Sequence, residues 1–354
     1  MGRRNRPQAA DKILSPALPY PSGWFCAGFS DEVKSREVVT RAFMGDDIVI
    51  YRTGSGIINA IRPYCPHLGA HLGVGGTVDG ELLVCPFHKW GFKSDGTCTR
   101  TPYGKPPRAR LDLMQVREIA GIIWVWHSSD NSPPSWEIPD ELNESHPMAH
   151  QELNLSGHPQ DVMENLPDYQ HLHHLHNIPI EPISEPERDG PLYSVSFRLH
   201  RPMPPLGAIT QDATLRLVGL GGLRSEYRLF GDRLRAYTWV LPTPTAPWRI
   251  SLRVATSAHV KISEKETRLT GLVARSLQSL IRRALNRYVV RDLHRDIPIW
   301  HHKKYLPHPK LNDGDGPIGP YRMWVRQFYP DATGTTEGST TIRDVKASPR
   351  RSSP

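Results

Sequence analysis

The chain has 354 residues, 38% of them hydrophobic, with 34 Pro and 28 Gly; this suits a loop-rich globular protein of two domains, because single cores rarely grow past about 250 residues. No uninterrupted apolar run approaches the ~18 residues of a spanning helix, and the net charge of +8 is spread without interleaved aromatic binding motifs, which argues against nucleic acid and leaves a solvated basic surface or an acidic partner such as a small electron carrier. Four cysteines are too few for a disulfide framework in a chain this size, so a reducing cytoplasm is expected.

The opening segment, MGRRNRPQAADKILSPALPYPSG, is basic but lacks an apolar h-region, and Arg6 stands where a myristoylation signal wants Ser or Thr. No export signal is expected. From 36 to 62 the runs REVVTRAF, DDIVIYR and GIINAIR read as short strands separated by MG and TGSG turns. ELLVCPF, KWGFKSDG and LMQVREIAGIIWVWH continue the pattern, with Ala120-Gly121 separating the last two strands. An all-β domain over 20–130 is predicted. The polar, Pro-rich stretch SSDNSPPSWEIPDELNESHP then has the composition of an interdomain link.

A helix is predicted from Pro159 to Asn177, followed by PLYSVSFRLH, ATLRLVGL, RAYTWVLPT and WRISLRVATSA as strands of one antiparallel sheet. From Glu266 to Arg295 the pattern is helical, Val273, Leu277, Leu280, Ile281, Ala284 and Tyr288 recurring every three or four residues. Pro298 should stop that helix. The second domain is placed at 150–330, and 331–354, rich in Thr, Ser and Gly, is expected to be a disordered tail. The fold class is therefore α+β.

Two constellations carry chemistry. Cys65-Pro66-His67 and Cys85-Pro86-Phe87-His88 put one Cys and one His in each of two short loops, 17 residues apart. Two Cys and two His can hold structural zinc, or a cluster with two thiolates on one iron and two imidazoles on the other. Zinc fingers group their cysteines in one half and their histidines in the other, whereas here each loop carries both ligand types. Cys26 and Cys98 match no ligand position and are read as small buried hydrophobes. The second constellation is Glu164 to His176, where histidines crowd beside carboxylates. Oxygen activation at a single Fe(II) needs two His and one carboxylate on one face. Spacing alone leaves the pair open: His171 with His174, or His173 with His176, serve nearly as well.

Cys65-Pro66-His67-Leu68-Gly69-Ala70 and Cys85-Pro86-Phe87-His88-Lys89-Trp90 resemble the two halves of the Rieske oxygenase motif. Lys89 departs from the glycine common there. Asn165-x-x-Asp168-x-x-His171-x-x-x-x-His176 is similar to the mononuclear-iron motif of the same family. The resemblance implies an N-terminal Rieske [2Fe-2S] domain and a helix-grip-like catalytic domain. It implies cluster ligands Cys65, His67, Cys85 and His88, iron ligands His171 and His176, and a bridging role for Asp168 across a subunit boundary in a head-to-tail homotrimer. Asn165 would orient a ligand, or cap or pack a helix. Periodicity favours Asp292 over Asp296 as the third ligand, but Asp296-Ile297-Pro298-Ile299-Trp300-His301-His302-Lys303 resembles the ligand segment of ketosteroid-hydroxylase-like members, which assigns Asp296.

The implied activity is that of a terminal oxygenase subunit in the ketosteroid-hydroxylase and cholesterol-desaturase-like branch, with one [2Fe-2S] cluster and one Fe(II) per subunit. Monooxygenation of a small hydrophobic steroid or secondary metabolite is expected, with desaturation, oxidative cyclisation, N-oxidation or demethylation open to the same metal chemistry. No dinucleotide or flavin fingerprint is present, so electrons must come through a ferredoxin and a separate NAD(P)H-dependent reductase. A Rieske-type electron carrier would need only the first ~130 residues. Tyr227, Phe230 and Trp239 are expected in the core.

Overall fold

The computed structural model describes residues 18–143, 148–202, 208–229, 234–260 and 268–329. The first part is built from β1 (Gly23–Phe29), β2 (Val38–Phe43), β3 (Asp46–Arg52), β4 (Ile58–Ile61), β5 (Thr77–Asp79), β6 (Leu82–Val84), β7 (Gly91–Phe92), β8 (Cys98–Arg100), β9 (Leu113–Met114), β10 (Val116–Ile119) and β11 (Ile122–His127). Three small antiparallel sheets result, ordered β1-β11-β10, β2-β3-β4-β9 and β5-β6-β7-β8. Hairpins β2-β3 and β10-β11 turn at Met44-Gly45 and Ala120-Gly121, where both central residues have positive φ. That geometry matches the twist of the flanking strands.

The second part begins with β12 (Ala149–Ser156), α1 (Pro159–Met163) and α2 (Tyr169–His174). It continues through β13 (Ile180–Pro182), β14 (Glu187–Asp189), β15 (Leu192–Pro202), β16 (Ala208–Val218), β17 (Gly222–Leu229), β18 (Leu234–Ala246) and β19 (Arg249–Val260), and ends with α3 (Arg268–Leu293), α4 (Ile297–His302) and α5 (Ile318–Val325). Its strands form one antiparallel sheet in the order β12-β19-β18-β17-β16-β15-β13, with β14 pairing β15. Helix α3 lies over β12 and β19, where Val290 packs with Leu252 and Val254.

The two parts share their core. β11 is buried on both faces: Trp124 packs with Trp239 and Leu241 on one side, Ile123 and Val125 with Tyr193 and Phe197 on the other. The approach is close enough that a Cβ on Gly221 would lie 1.9 Å from the Trp24 carbonyl oxygen. The segment read as an interdomain link packs into this core as well, with Ile138 and Leu142 buried and Trp136 edge-on to Trp126. Its polar composition concealed three anchoring side chains.

Two helical expectations need correction. The helix predicted from Pro159 to Asn177 is broken into α1 and α2 at Pro167, which has no N–H to donate and disfavours helix at the preceding residue. Pro298 does not stop the long helix: α3 ends at Leu293, and Pro298 lies in the first turn of α4, where a missing N–H costs nothing. The predicted tail, Phe230 and Glu266 lie outside the described residues.

Candidate metal centres

The loop 65–70 between β4 and β5 and the loop 85–90 between β6 and β7 have the same backbone closure. Cys65 N–H donates to the Ala70 carbonyl and Gly69 N–H to the Cys65 carbonyl, both at 2.9 Å. Cys85 N–H donates to the Trp90 carbonyl (2.8 Å) and Lys89 N–H to the Cys85 carbonyl (3.1 Å). The fourth residue after each cysteine is left-handed, Gly69 at φ 72° and Lys89 at φ 58°. Only glycine takes that conformation without strain. The departure at Lys89 is thus a lysine in a glycine's backbone position, with its Nζ donating to the Pro86 carbonyl at 2.9 Å.

These loops bring the four predicted side chains together. Cys65 and Cys85 are 3% and 2% exposed, and the His67 and His88 rings are 4.7 Å apart at 70°. His67 stacks on Trp90 at 4.1 Å. Burial pushes the Cys65 thiol up to about 11, and the neighbouring Cys85 adds to the rise. Such a thiol is a poor nucleophile at neutral pH, and binding of a metal would displace its proton. His67 Nδ1 is buried with no hydrogen-bond partner among the described residues, the condition of a donor atom whose partner would be a Lewis acid. The set fits an iron–sulfur cluster. Cys26 is buried in a different core, while Cys98 is buried in the same core as Cys65 and Cys85.

The second centre sits between the helices and the sheet. Donor atoms of His171, His176 and Asp296 all lie within 4.8 Å of one another. The Asp168 carboxylate caps α2 by accepting the His171 backbone N–H. His171 Nδ1 donates to the Asp168 carbonyl, which fixes the tautomer and leaves Nε2 as the free lone pair. His176 Nε2 is 3.2 Å from Asp296 Oδ2, close to the roughly 3 Å between two ligands set ~2.1 Å from one ion at a right angle. Asn165 Nδ2 donates to Asp296 Oδ1 at 3.0 Å, while Oδ2 is buried and makes no hydrogen bond. One oxygen is committed and the other is available.

Asp292, the alternative read from periodicity, faces the other side of the same ring, its Oδ1 3.1 Å from His176 Nδ1. Burial alone would lower the His176 pKa, but the two carboxylates overcome it and push it up to about 9. A field that holds a proton this strongly also favours a metal cation. Burial holds the His171 pKa down, keeping that imidazole neutral and able to ligate. The remaining histidines of the run, His173 and His174, stack edge-on with each other and are exposed.

The arginines near the carboxylates have other partners. Arg295 donates to the Leu175 and His176 carbonyls, tying the end of α2 to the end of α3. Arg291 lies over the Tyr288 ring. The frame is closed by Arg322 of α5, which grips both oxygens of Glu164 at 2.6 and 2.9 Å, a planar fork on a planar carboxylate.

A cavity opens onto the three donor residues, walled by Val162, Leu166, Leu172, Leu215, Leu223 and Trp300. Tyr227, expected in the core, lines it, whereas Trp239 is in the core at 3% exposure. Sequence alternation did not single out Ser225 or Thr238, which also face the cavity. The one signal was a hydroxyl between apolar residues on one face of each strand, Ser225 between Leu223 and Tyr227 and Thr238 between Ala236 and Val240.

Residues 23–118 match the Rieske [2Fe-2S] domain family and residues 125–329 the 3-ketosteroid 9alpha-hydroxylase C-terminal domain family. The chain is 31% identical over 367 residues to "Cholesterol 7-desaturase nvd" of Bombyx mori, covering 98% of this chain and 77% of that protein. It is 25% identical to a "Probable 3-ketosteroid-9-alpha-monooxygenase, oxygenase component" of Rhodococcus rhodochrous, covering 90% and 82%. Among solved structures, Pseudomonas putida CBB5 NdmA with caffeine aligns at a TM-score of 0.62 and 17% identity over 86% of this chain and 89% of that one. Dicamba monooxygenase bound to dicamba aligns at 0.59 and 16%, over 86% and 96%. Likeness at such identity speaks for the fold alone.

Proposed function

The chain belongs to the Rieske non-haem iron oxygenases, with a Rieske [2Fe-2S] domain followed by a 3-ketosteroid 9alpha-hydroxylase C-terminal domain, and from that premise we propose that it is the terminal oxygenase of a multicomponent system acting on a steroid-like substrate. The observation that carries the reading is the convergence of His171, His176 and Asp296 on the wall of a largely apolar cavity. Cys65, His67, Cys85 and His88 would hold one cluster per subunit, and His171, His176 and Asp296 one Fe(II). When bound, the cluster supplies single electrons and the iron supplies dioxygen activation.

The chain's own residues do the positioning. His171 is turned by the Asp168 carbonyl so that Nε2 faces the metal position. Asn165 holds one oxygen of Asp296 and thereby aims the other. Asp292 lies behind His176 as a carboxylate that can orient its ring. Leu166, Leu172, Leu223 and Trp300 exclude water from the space where an apolar substrate would rest.

Electrons would arrive from a ferredoxin or ferredoxin reductase that draws on NAD(P)H, and the working unit would be a homotrimer in the cytoplasm. Support for a subunit contact comes from Leu68 and Phe87, 65% and 61% exposed beside the two cluster histidines, a place where solvated apolar side chains are costly. Asp168 would bridge from His171 toward a cluster histidine of the neighbouring subunit. Among the described residues no helix is long and apolar enough to cross a membrane.

Hydroxylation is the first reading. Desaturation is the second, favoured by the 31% identity to a protein named as a cholesterol 7-desaturase. Reconstitution with a ferredoxin, its reductase and NADH, followed by mass spectrometry of cholesterol and of a 3-ketosteroid, separates them: hydroxylation adds one oxygen atom, desaturation removes two hydrogens. Iron and acid-labile sulfide analysis with EPR of the reduced protein tests the centres. His171→Ala should lose the mononuclear iron and keep the cluster signal; zinc in place of iron, or unchanged iron in the variant, would sink the assignment. Sedimentation velocity tests the trimer, and Asp168→Asn should leave both centres loaded but slow electron transfer between them.

A further inference from the structure

The cavity wall formed by the sheet is not uniformly apolar. Strand register places Leu215 of β16, Ser225 of β17, Thr238 of β18 and Thr256 of β19 side by side in one row. The row on one side is Leu223, Val240 and Val254; on the other it is Tyr227, Ala236 and Ala258. One line of three hydroxyls therefore crosses an otherwise aliphatic and aromatic surface. All three are buried, Ser225 at 4%, Thr238 at 3% and Thr256 at 1% exposure.

The row is satisfied at one end and open at the other. Asn286 of α3, itself 4% exposed, donates to the Val254 carbonyl at 3.2 Å and to Thr256 Oγ1 at 3.4 Å. Thr256 Oγ1 is in turn 3.5 Å from Thr238 Oγ1, so Thr238 has at most a weak partner on that side. Ser225 is the other end of the hydroxyl line, and its side chain makes no hydrogen bond among the described residues. Ser225 and Thr238 are also the two hydroxyl members of the row that line the cavity. A buried hydroxyl left unpaired is costly, and an unpaired Ser225 beside a weakly paired Thr238 on an apolar wall marks a place for a ligand oxygen.

Their position relative to the metal donors gives this place a function. His171 comes from α2, His176 from the residues just after it, and Asp296 from the break between α3 and α4, all in the helical layer. Ser225 and Thr238 come from the sheet. The polar groups of the cavity thus lie on two walls, with aliphatic side chains making up most of the rest. A wholly apolar ligand would leave the sheet hydroxyls unpaired and could slide along the aliphatic surface. A ligand with one oxygen function pairs them and is held in one register.

We propose that Ser225 and Thr238 bind the hydroxyl or keto oxygen of an otherwise apolar polycyclic substrate, and so choose which carbon faces the centre formed by His171, His176 and Asp296. Resting on the proposed oxygenase function, this names the substrate's recognition element: an oxygen either donated to or accepted from by hydroxyls, on a rigid carbon skeleton. Ser225 and Thr238 are specificity residues that touch substrate away from the reacting carbon.

The test is equilibrium binding of cholesterol and its 3-deoxy analogue to the anaerobic ferrous holoenzyme, with product analysis for both. Wild type should bind cholesterol about tenfold more tightly, the worth of one hydrogen bond in a dry site. The Ser225→Ala/Thr238→Val double variant should bind the two compounds equally, with the 3-deoxy affinity unchanged and the oxidation of cholesterol spread over more than one carbon. Ser225→Thr, which keeps the hydroxyl, should retain the preference. A preference that survives the double variant, or equal binding by wild type, overturns the hydroxyl-row assignment alone. Binding of neither sterol by a fully metallated wild type overturns the steroid reading itself.

Discussion

Asn165 donates to Asp296 across the gap between the α1–α2 turn and the α3–α4 break, at 3.0 Å, and in doing so commits one oxygen of that carboxylate to the protein while the other makes no hydrogen bond. The bond joins residues 131 positions apart in sequence. It follows that Asn165→Ala should keep the fold but let Asp296 rotate. We predict a loss of about tenfold or more in iron affinity, with cluster content unchanged, read as iron released on dialysis against a weak chelator. Unchanged retention would mean that Asn165 only packs.

The two aspartates one helical turn apart should separate cleanly. Asp296→Ala removes a donor atom and should abolish mononuclear iron binding. Asp292→Ala removes a carboxylate that faces the far nitrogen of His176 and should weaken binding by about 10- to 100-fold without abolishing it. Asp292→Glu should recover part of the loss. Iron-to-sulfide ratios in the three variants decide the matter, and equal loss in Asp292→Ala and Asp296→Ala would contradict the division of roles.

What the sequence reveals depends on how local each feature is. Cys65 with His67, and Cys85 with His88, are each two or three residues apart, so their grouping is visible without any tertiary knowledge. Asp292 and Asp296 are different, because the choice depends on where α3 ends. The helix breaks after Leu293, and the break turns Asp296 inward to 3% exposure, which periodicity extended past the break could not anticipate. Tyr227 is a related case, since it packs against the core and lines the cavity at once: alternation marks the inward face of a strand but does not tell a packed interior from a cavity wall. The connector misled through composition, since Trp136, Ile138 and Leu142 are a small minority of a polar stretch yet pack into the core.

Lys89 offers a stability test. Its φ of 58° is one that glycine adopts without cost. Lys89→Gly should therefore stabilise the loop by roughly 1 kcal/mol, less what the Nζ contact with the Pro86 carbonyl contributes. Thermal unfolding of the cluster-loaded protein, followed by loss of visible absorbance, measures it. A lower melting temperature would show that the lysine contact outweighs the backbone strain.

Acid sensitivity should arise away from the metals, at His158. Its Nδ1 accepts the Gln160 N–H that opens α1, and its Nε2 donates to the Pro19 carbonyl. The first contact requires the neutral ring, because a protonated Nδ1 has no lone pair to accept with, whereas the second survives protonation. Burial holds the pKa down to about 4, against a smaller opposing effect from the Pro19 carbonyl. An unfolded chain takes up this proton near pH 6.5 and the folded one only near pH 4, so between those values the unfolded state binds more protons and stability falls with acid. The contribution is fully present above about pH 6.5 and is lost as the pH falls through about 4. Its ceiling is roughly 3 kcal/mol. His127, lowered to about 4 by burial first and Arg62 second, acts with the same sign. His158→Asn keeps an acceptor for the Gln160 N–H but cannot titrate. Urea midpoints of both proteins at about pH 7 and about pH 5 should therefore converge in acid, the wild type losing more than the variant. Parallel losses would place the acid sensitivity elsewhere.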